Sequence, residues 1–300
     1  MIVNSENLTK LRTGFSAAFK RGLQNSATPL SPKVAMTVPS NTKEMRYGWM
    51  GKLPRVREWI GPRVIQNISE SDYAIKEKPF ELTVGVDRDD IETDNLGIYS
   101  TLFEAIGEAT VLDPEQLIWD LLRNGFTTNC YDGQFFFDTD HPVIAEDGVT
   151  VTSVANTDGG AGTPWFLLDT SRVVKPLIKQ VRRDFGELVA KDKPTDDNVF
   201  DRNEYIYGVD ARMNFGYGFW QMAWGSKQAL TAANYAAARA AMASFRSDNG
   251  RPLGINPNLL VVPPALEGAG RAILQSQLVN GGESNPWAGT AELLVVPWLA

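Results

Sequence analysis

Tyr73-Ala74-Ile75-Lys76-Glu77-Lys78-Pro79-Phe80-Glu81-Leu82-Thr83-Val84-Gly85-Val86 runs directly into an acidic stretch, Asp87 to Asp94, and then into Leu96, Tyr99, Phe103 and Ile106. In the first part Tyr73, Ile75, Phe80, Leu82, Val84 and Val86 alternate with polar residues, the period of a half-buried strand. With Val64, Ile65 and Ile68 just upstream, this reads as a β-hairpin or long strand pair. Asp87, Asp89, Asp90, Glu92 and Asp94 then place negative charge at the positive end of a helix, so they read as a helix start and not as a metal loop. Asp113-Pro114-Glu115 supplies an N-cap and a proline at a first helical position, and Leu117, Ile118, Leu121 and Leu122 continue to a stop at Gly125. The two helical patterns can also join as one long kinked helix.

Downstream, residues 126–164 are rich in Gly, Thr, Asp and Asn and read as loop or short strands. Strand character returns at Trp165–Leu168, at Val173–Val181 and at Tyr205–Ala223, with Pro176 pointing to an edge strand. Thr231 caps an alanine-rich helix that ends near Phe245. Leu259–Val262 reads as a buried strand, Pro263 and Pro264 open a helix through Leu274, and Ala291–Val296 forms a last strand. The class is α+β.

Upstream, Leu8, Leu11, Phe15, Phe19 and Leu23 recur at helical spacing among Lys10, Arg12, Lys20 and Arg21, an amphipathic helix whose stripe needs a partner. Pro29, Pro32 and Pro39 favour extended chain from Asn25 to Asn41. Residues 1–48 therefore read as an arm, with a frayed terminus as the plainer alternative. Residues 49–63 place Trp49 and Trp59 among Lys52, Arg55, Arg57 and Arg63 between Gly and Pro breaks, the composition that protein interfaces concentrate.

With 300 residues and 43% apolar content the chain buries a substantial core. A net charge of −7 argues against a protein whose main task is gripping nucleic acid, because such binding rests on clustered Lys and Arg. No run approaches the roughly 18–20 apolar residues of a membrane span, and Met1–Glu6 does not resemble a signal peptide, so a cytoplasmic protein without a membrane role is expected. The single Cys130 allows no internal disulfide, and the single His141 allows no zinc site of the usual Cys/His kind by itself.

No phosphate loop, nucleophile elbow or helix-borne histidine pair occurs. Gly159-Gly160-Ala161-Gly162 is followed by Pro164 and an aromatic, so it reads as a flexible loop. The best catalytic constellation is Asp138-Thr139-Asp140-His141-Pro142, in which two carboxylates and the only imidazole could bind a metal or share a proton. Neighbours on extended chain point in alternating directions, which favours a turn with a hydrogen-bonded histidine.

Six segments, in order along the chain, resemble the major head protein of Mu-like phages and prophages. They are Leu53–Trp59, Phe135–Pro142, Lys175–Gln180, Tyr207–Arg212, Leu259–Pro264 and Asn285–Leu293. The resemblance implies the HK97-like capsid fold and a non-enzymatic structural subunit without cofactor. Such a subunit self-assembles as pentamers and hexamers into an icosahedral shell around the genome. It further implies an N-terminal arm (1–48), an E-loop hairpin (49–95), a peripheral domain with a spine helix (96–227) and an axial domain (228–300). Inferred partners are other copies of the chain, a scaffold or maturation protease, a portal and enclosed double-stranded DNA bound without sequence specificity. The implied location is the virion, after assembly in the bacterial host cytoplasm. Phe15, Phe19, Trp49, Arg55, Arg57 and Trp59 are the expected inter-subunit contacts, and an arm that does not bury its apolar residues within its own subunit predicts that deleting residues 1–48 leaves a folded but assembly-deficient subunit. An encapsulin-like nanocompartment shell and a metal-dependent hydrolase built on Asp138, Asp140 and His141 are the competing readings.

Overall fold

The computed structural model describes residues 5–26, 28–47, 73–93, 97–278 and 280–300. The chain opens with α1 (Ser5–Asn25), a single turn α2 (Ser31–Val34), β1 (Ala35–Pro39) and β2 (Glu44–Arg46). Then come β3 (Ala74–Lys76), β4 (Lys78–Asp87), a short α3 (Arg88–Thr93) and the long α4 (Ile98–Arg123). The middle of the chain is β5 (His141–Ile144), β6 (Val151–Val154), β7 (Thr157–Gly160), β8 (Trp165–Leu168), β9 (Leu177–Arg183), β10 (Val189–Lys191), α5 (Asp197–Arg202) and β11 (Glu204–Tyr217). It closes with β12 (Ala223–Lys227), α6 (Ala232–Ser244), β13 (Leu259–Val262), α7 (Glu267–Leu274) and β14 (Glu292–Val295).

The first sheet is organised by β11. One of its edges pairs antiparallel with β4 from Glu204 to Met213; the other pairs with β10 and then with β9, and β1 adds parallel to β9. Along β11 burial alternates strictly, so Tyr205, Tyr207, Val209, Ala211 and Met213 face inward. Over that face lie α1 and α4 side by side. Phe15 stacks on Phe103 with ring centroids 4.3 Å apart, and both rings meet Tyr207 edge-on at 5.5 and 5.0 Å. The helices approach closely because glycines face each other: a Cβ on Gly22 would lie 2.0 Å from the Glu104 carbonyl oxygen, and one on Gly107 would lie 2.3 Å from that of Phe19.

The second sheet has the order β14-β13-β8-β12-β7. Its central strands Trp165–Leu168 and Leu259–Val262 are buried at every position, which accounts for their unbroken apolar sequence. The helix α6 begins at Thr231, whose side chain accepts a hydrogen bond from the Asn234 amide at 3.2 Å. Replacing Thr231 with Ala should therefore lower stability by about 1 kcal/mol, read as a shifted denaturant midpoint with unchanged slope.

Of the two alternatives for the helical patterns between 98 and 123, the single helix is observed, continuing through Pro114. Other expectations change. Pro176 does not mark an edge: it sits one residue before β9, where no ladder hydrogen bond is lost, and β9 pairs on both sides. The strand β4 pairs with β11, while Val64, Ile65 and Ile68, read as its hairpin partner, lie outside the described residues. The extended stretch 25–41 contains the turn α2 as well as β1.

Residues 1–48 are not an unattached arm, since β1 is a strand of the first sheet and Phe19 and Val34 are 1% and 0% exposed within their own subunit. Deleting the segment would remove core, so a folded remainder is no longer the expectation. A boundary at 227/228 also departs from the topology, because β8 and β12 share a sheet with β13 and β14.

Candidate functional site

The strands that lead into and out of residues 48–72 are hydrogen-bonded neighbours. Met45 faces Ile75 in the β2–β3 pair, and the Tyr47 amide donates to the Tyr73 carbonyl at 2.9 Å. This base is fastened to the first sheet by side chains. The Tyr47 hydroxyl donates to Gln180 Oε1 at 2.9 Å, and the Tyr217 amide donates to the Tyr73 hydroxyl at 2.8 Å. Gly216 leaves the space that Ile75 fills, for a Cβ there would be 2.3 Å from Ile75 Cδ1. Arg182 pairs with Glu77 at 2.7 Å beside it. Burial pushes the Tyr47 phenol up to about 12 and the Tyr73 phenol well above its ordinary value, so both remain neutral donors and acceptors.

Trp49, Arg55, Arg57 and Trp59, the contacts expected within this excursion, lie outside the described residues. Phe15 and Phe19 lie elsewhere, in the cluster formed with Phe103 and Tyr207. The reading that these two phenylalanines need a neighbouring subunit is corrected: the glycine-lined crossing of α1 on α4 buries both inside one chain.

A second anchoring residue, Glu115 in α4, is 2% exposed. Its Oε2 accepts from the amides of Leu30 and Ser31 at 3.0 and 2.9 Å and from the Trp119 indole at 3.3 Å; its Oε1 accepts from the Ser31 hydroxyl. Read from sequence, Glu115 is one more acidic residue in a first helical turn. Its partners at 30 and 31 lie 85 and 84 positions away, beyond the reach of any local pattern.

The constellation Asp138, Asp140, His141 does not converge. His141 is fully buried, with Nδ1 2.7 Å from Asp132 Oδ2 and Nε2 3.2 Å from Asn156 Oδ1, and its ring stacks 4.0 Å from that of Trp220. The Asp138 carboxylate instead accepts from the amides of Phe135 and Thr139 at 3.1 and 2.7 Å. Exposed Asp140 is pushed upward by its hydrogen bond with Asp138. Cys130, Asp132 and His141 are the group whose donor atoms come within 4.8 Å of one another among the described residues. Burial raises the Cys130 thiol, which therefore stays protonated and donates to Asp132 Oδ1 at 3.1 Å. With the thiol, the carboxylate and both ring nitrogens engaged, the group is a hydrogen-bonded clasp. Asp132, Asn156 and Trp220 were missed from sequence because they lie on separate segments.

What remains is a chain whose β2 and β3 are fastened to each other and to the first sheet, with no assembled catalytic group among the described residues. A sequence profile of the family described as the Mu-like prophage major head subunit gpT matches residues 8–299. The chain belongs to that family. This head subunit is 43% identical over 307 aligned residues to the major capsid protein of Escherichia phage Mu, covering 100% of both chains. In three dimensions it is similar to the subunit of the bacteriophage JBD30 procapsid, with a TM-score of 0.87, 41% identity, and 99% and 100% of the two chains covered. Against the JBD30 capsid the TM-score is 0.78 at 31% identity, with 92% of each chain covered. The head subunit has the HK97-like capsid fold, α+β in class, and is a shell-forming structural protein and not an enzyme. No helix among the described residues is long and apolar enough to cross a membrane.

Proposed function

We propose that this subunit forms pentamers and hexamers that close into an icosahedral head around double-stranded DNA, with residues 48–72 as the segment each copy extends onto a neighbour. The observation that carries the reading is the base at Tyr47 and Tyr73: a rigid, side-chain-fastened exit for a segment holding Trp49, Arg55, Arg57 and Trp59. Buried aromatics with Arg are the residues that dominate interface energies, and covering them on a second copy favours association hydrophobically. The first sheet with α1 and α4 is the proposed peripheral domain, α4 its spine helix, and the second sheet with α6 and α7 the proposed axial domain. A scaffold or maturation protease and a portal are proposed partners, assembly occurring in the host cytoplasm. DNA contact is weak and non-specific in this reading, consistent with the net charge of −7.

Negative-stain electron microscopy of the purified protein at low and moderate salt tests the reading. Shells, tubes or five- and six-membered rings are the expected products, and a Trp59→Ala/Arg55→Ala/Arg57→Ala variant should keep its circular dichroism spectrum while losing them. Normal shells from the triple variant would remove these contacts from the proposal; monomers of the unaltered protein under every condition would count against self-assembly.

A further inference from the structure

The clasp around His141 lies where the two sheets meet. From the segment just before β5, Phe136 stacks on Tyr217 of the first sheet at 4.4 Å, and Phe137 stacks on Phe166 of the second at 5.4 Å. Gly125 and Gly225 make room for the Phe137 ring, since a Cβ on either would lie within 2.7 and 2.6 Å of it. Cys130 to Phe137 is therefore the buckle between the layers, and His141 is the residue that ties it down.

The hydrogen-bond directions around the imidazole decide its charge. Asn156 has its Nδ2 surrounded by the carbonyl oxygens of Phe136, Trp220 and Ala223 at 2.8, 3.3 and 3.3 Å, and its Oδ1 receives the Asp138 amide at 2.9 Å. The amide cannot be turned over without setting Nδ2 against a donor and Oδ1 against three acceptors, so Oδ1 faces His141 and Nε2 must donate. On the other side Nδ1 meets a carboxylate oxygen whose partner oxygen already accepts from the Gln134 amide at 3.1 Å and from the Cys130 thiol. Burial pushes Asp132 upward, yet the hydrogen bonds from His141 and Cys130 outweigh it and hold the group below its ordinary value, as a carboxylate. Nδ1 must therefore donate as well.

We propose that His141 is a buried imidazolium, paired with Asp132 and stacked on Trp220, and that this charge pair is a proton-held clasp on the joint between the two sheets. The parallel ring stacking suits a cation, because the indole face is electron-rich. The titratable groups near the ring are Asp132 and Cys130 on the buckle and Asp140 and Asp138 on the approach to β5; Asn156 and Trp220 supply the remaining walls. A ring that loses its proton loses one of its two donated hydrogen bonds and leaves a carboxylate without its counter-charge. The buckle is then the first part of the subunit to loosen.

Because the chain has one histidine, selective ¹⁵N-histidine labelling reports on this ring alone. At neutral pH both ring nitrogens should resonate as protonated, in the free subunit by solution NMR or in assembled particles by the solid-state method. Asp132→Asn should convert the ring to a neutral tautomer. In the same variant, amide protection of residues 130–141 should fall relative to the unaltered protein while that of α6 holds. An unprotonated ring nitrogen in the unaltered protein at neutral pH overturns the proposal, and so does unchanged protection of residues 130–141 in a folded Asp132→Asn variant. The first result is read on the unaltered chain and does not depend on the variant folding.

Discussion

Glu115→Ala should cost about 3 kcal/mol of stability, because it strips four donors of the acceptor that a 2%-exposed carboxylate supplies. Each donor left unsatisfied in the interior costs about 1–3 kcal/mol, but these losses do not simply add, since the Leu30–Ser31 turn can shift toward solvent. The Ala side chain also leaves a small void beside Trp119, which is itself fully buried. For a chain of this size, a loss of that order lowers the thermal midpoint by roughly 5 °C. Glu115→Gln keeps one acceptor oxygen but turns an amide nitrogen toward donors, so it should fall between the two. The measurement is a denaturant or thermal midpoint on the unassembled subunit, and a Glu115→Ala shift below about 1 kcal/mol would mean that the 28–31 connector is held by something else. Amide exchange should speed up locally at Ser31–Val34 and along β1, the elements this carboxylate pins to α4.

Gly107→Leu should have a comparable or larger effect, of about 3 kcal/mol or more, by prising α1 from α4. Leucine is the better helix former by roughly 0.8 kcal/mol, so propensity alone predicts stabilisation. Packing decides otherwise. The first side-chain carbon would already stand 2.3 Å from a backbone carbonyl oxygen, and backbone on both sides of the contact cannot rotate away. The helices must separate, and the stack of Phe15 on Phe103 and the burial of Phe19 open with them. Gly107→Ala should show the same sign at smaller size. Limited proteolysis within 5–25 reads the release of α1 directly, with cleavage expected in the variant under conditions where the unaltered subunit resists. Resistance equal to the unaltered protein would show that the crossing can widen at little cost.

Both residues illustrate why part of this protein was hidden in its sequence. Glu115 follows an Asp-Pro pair, and on local grounds that pair opens a new helix. In the structure the helix runs on through Pro114, and the carboxylate serves a turn 84 residues earlier. Gly107 carries no turn signal and stands inside a helical pattern, where its reason is the approach of another helix. His141 was correctly singled out as the one imidazole, but its neighbours in sequence, Asp138 and Asp140, are not its partners. Asp132, Asn156 and Trp220 reach it only after the chain has folded back twice.

The sequence by itself determined what depends on near neighbours. The alternation of β4, the strand character of β11, the capped alanine-rich α6 and the unbroken apolar strands β8 and β13 all follow from periods of two or 3.6 residues and from capping chemistry, whereas the acidic residues read as the start of the helix at Leu96 fall within the separate α3. The mixed class followed from these elements, and six short matching segments carried the family resemblance. Only the tertiary structure decided which strands share a sheet, that β8 and β12 lie with β13 and β14, that Phe15, Phe19 and Val34 belong to the core and not to a loose arm, and that His141 is hydrogen-bonded to Asp132 where the two sheets meet. The physical reason is range. A hydrophobic period tells which face of an element must be covered, whereas the partner that covers it is selected by packing and hydrogen-bond satisfaction among residues distant in sequence.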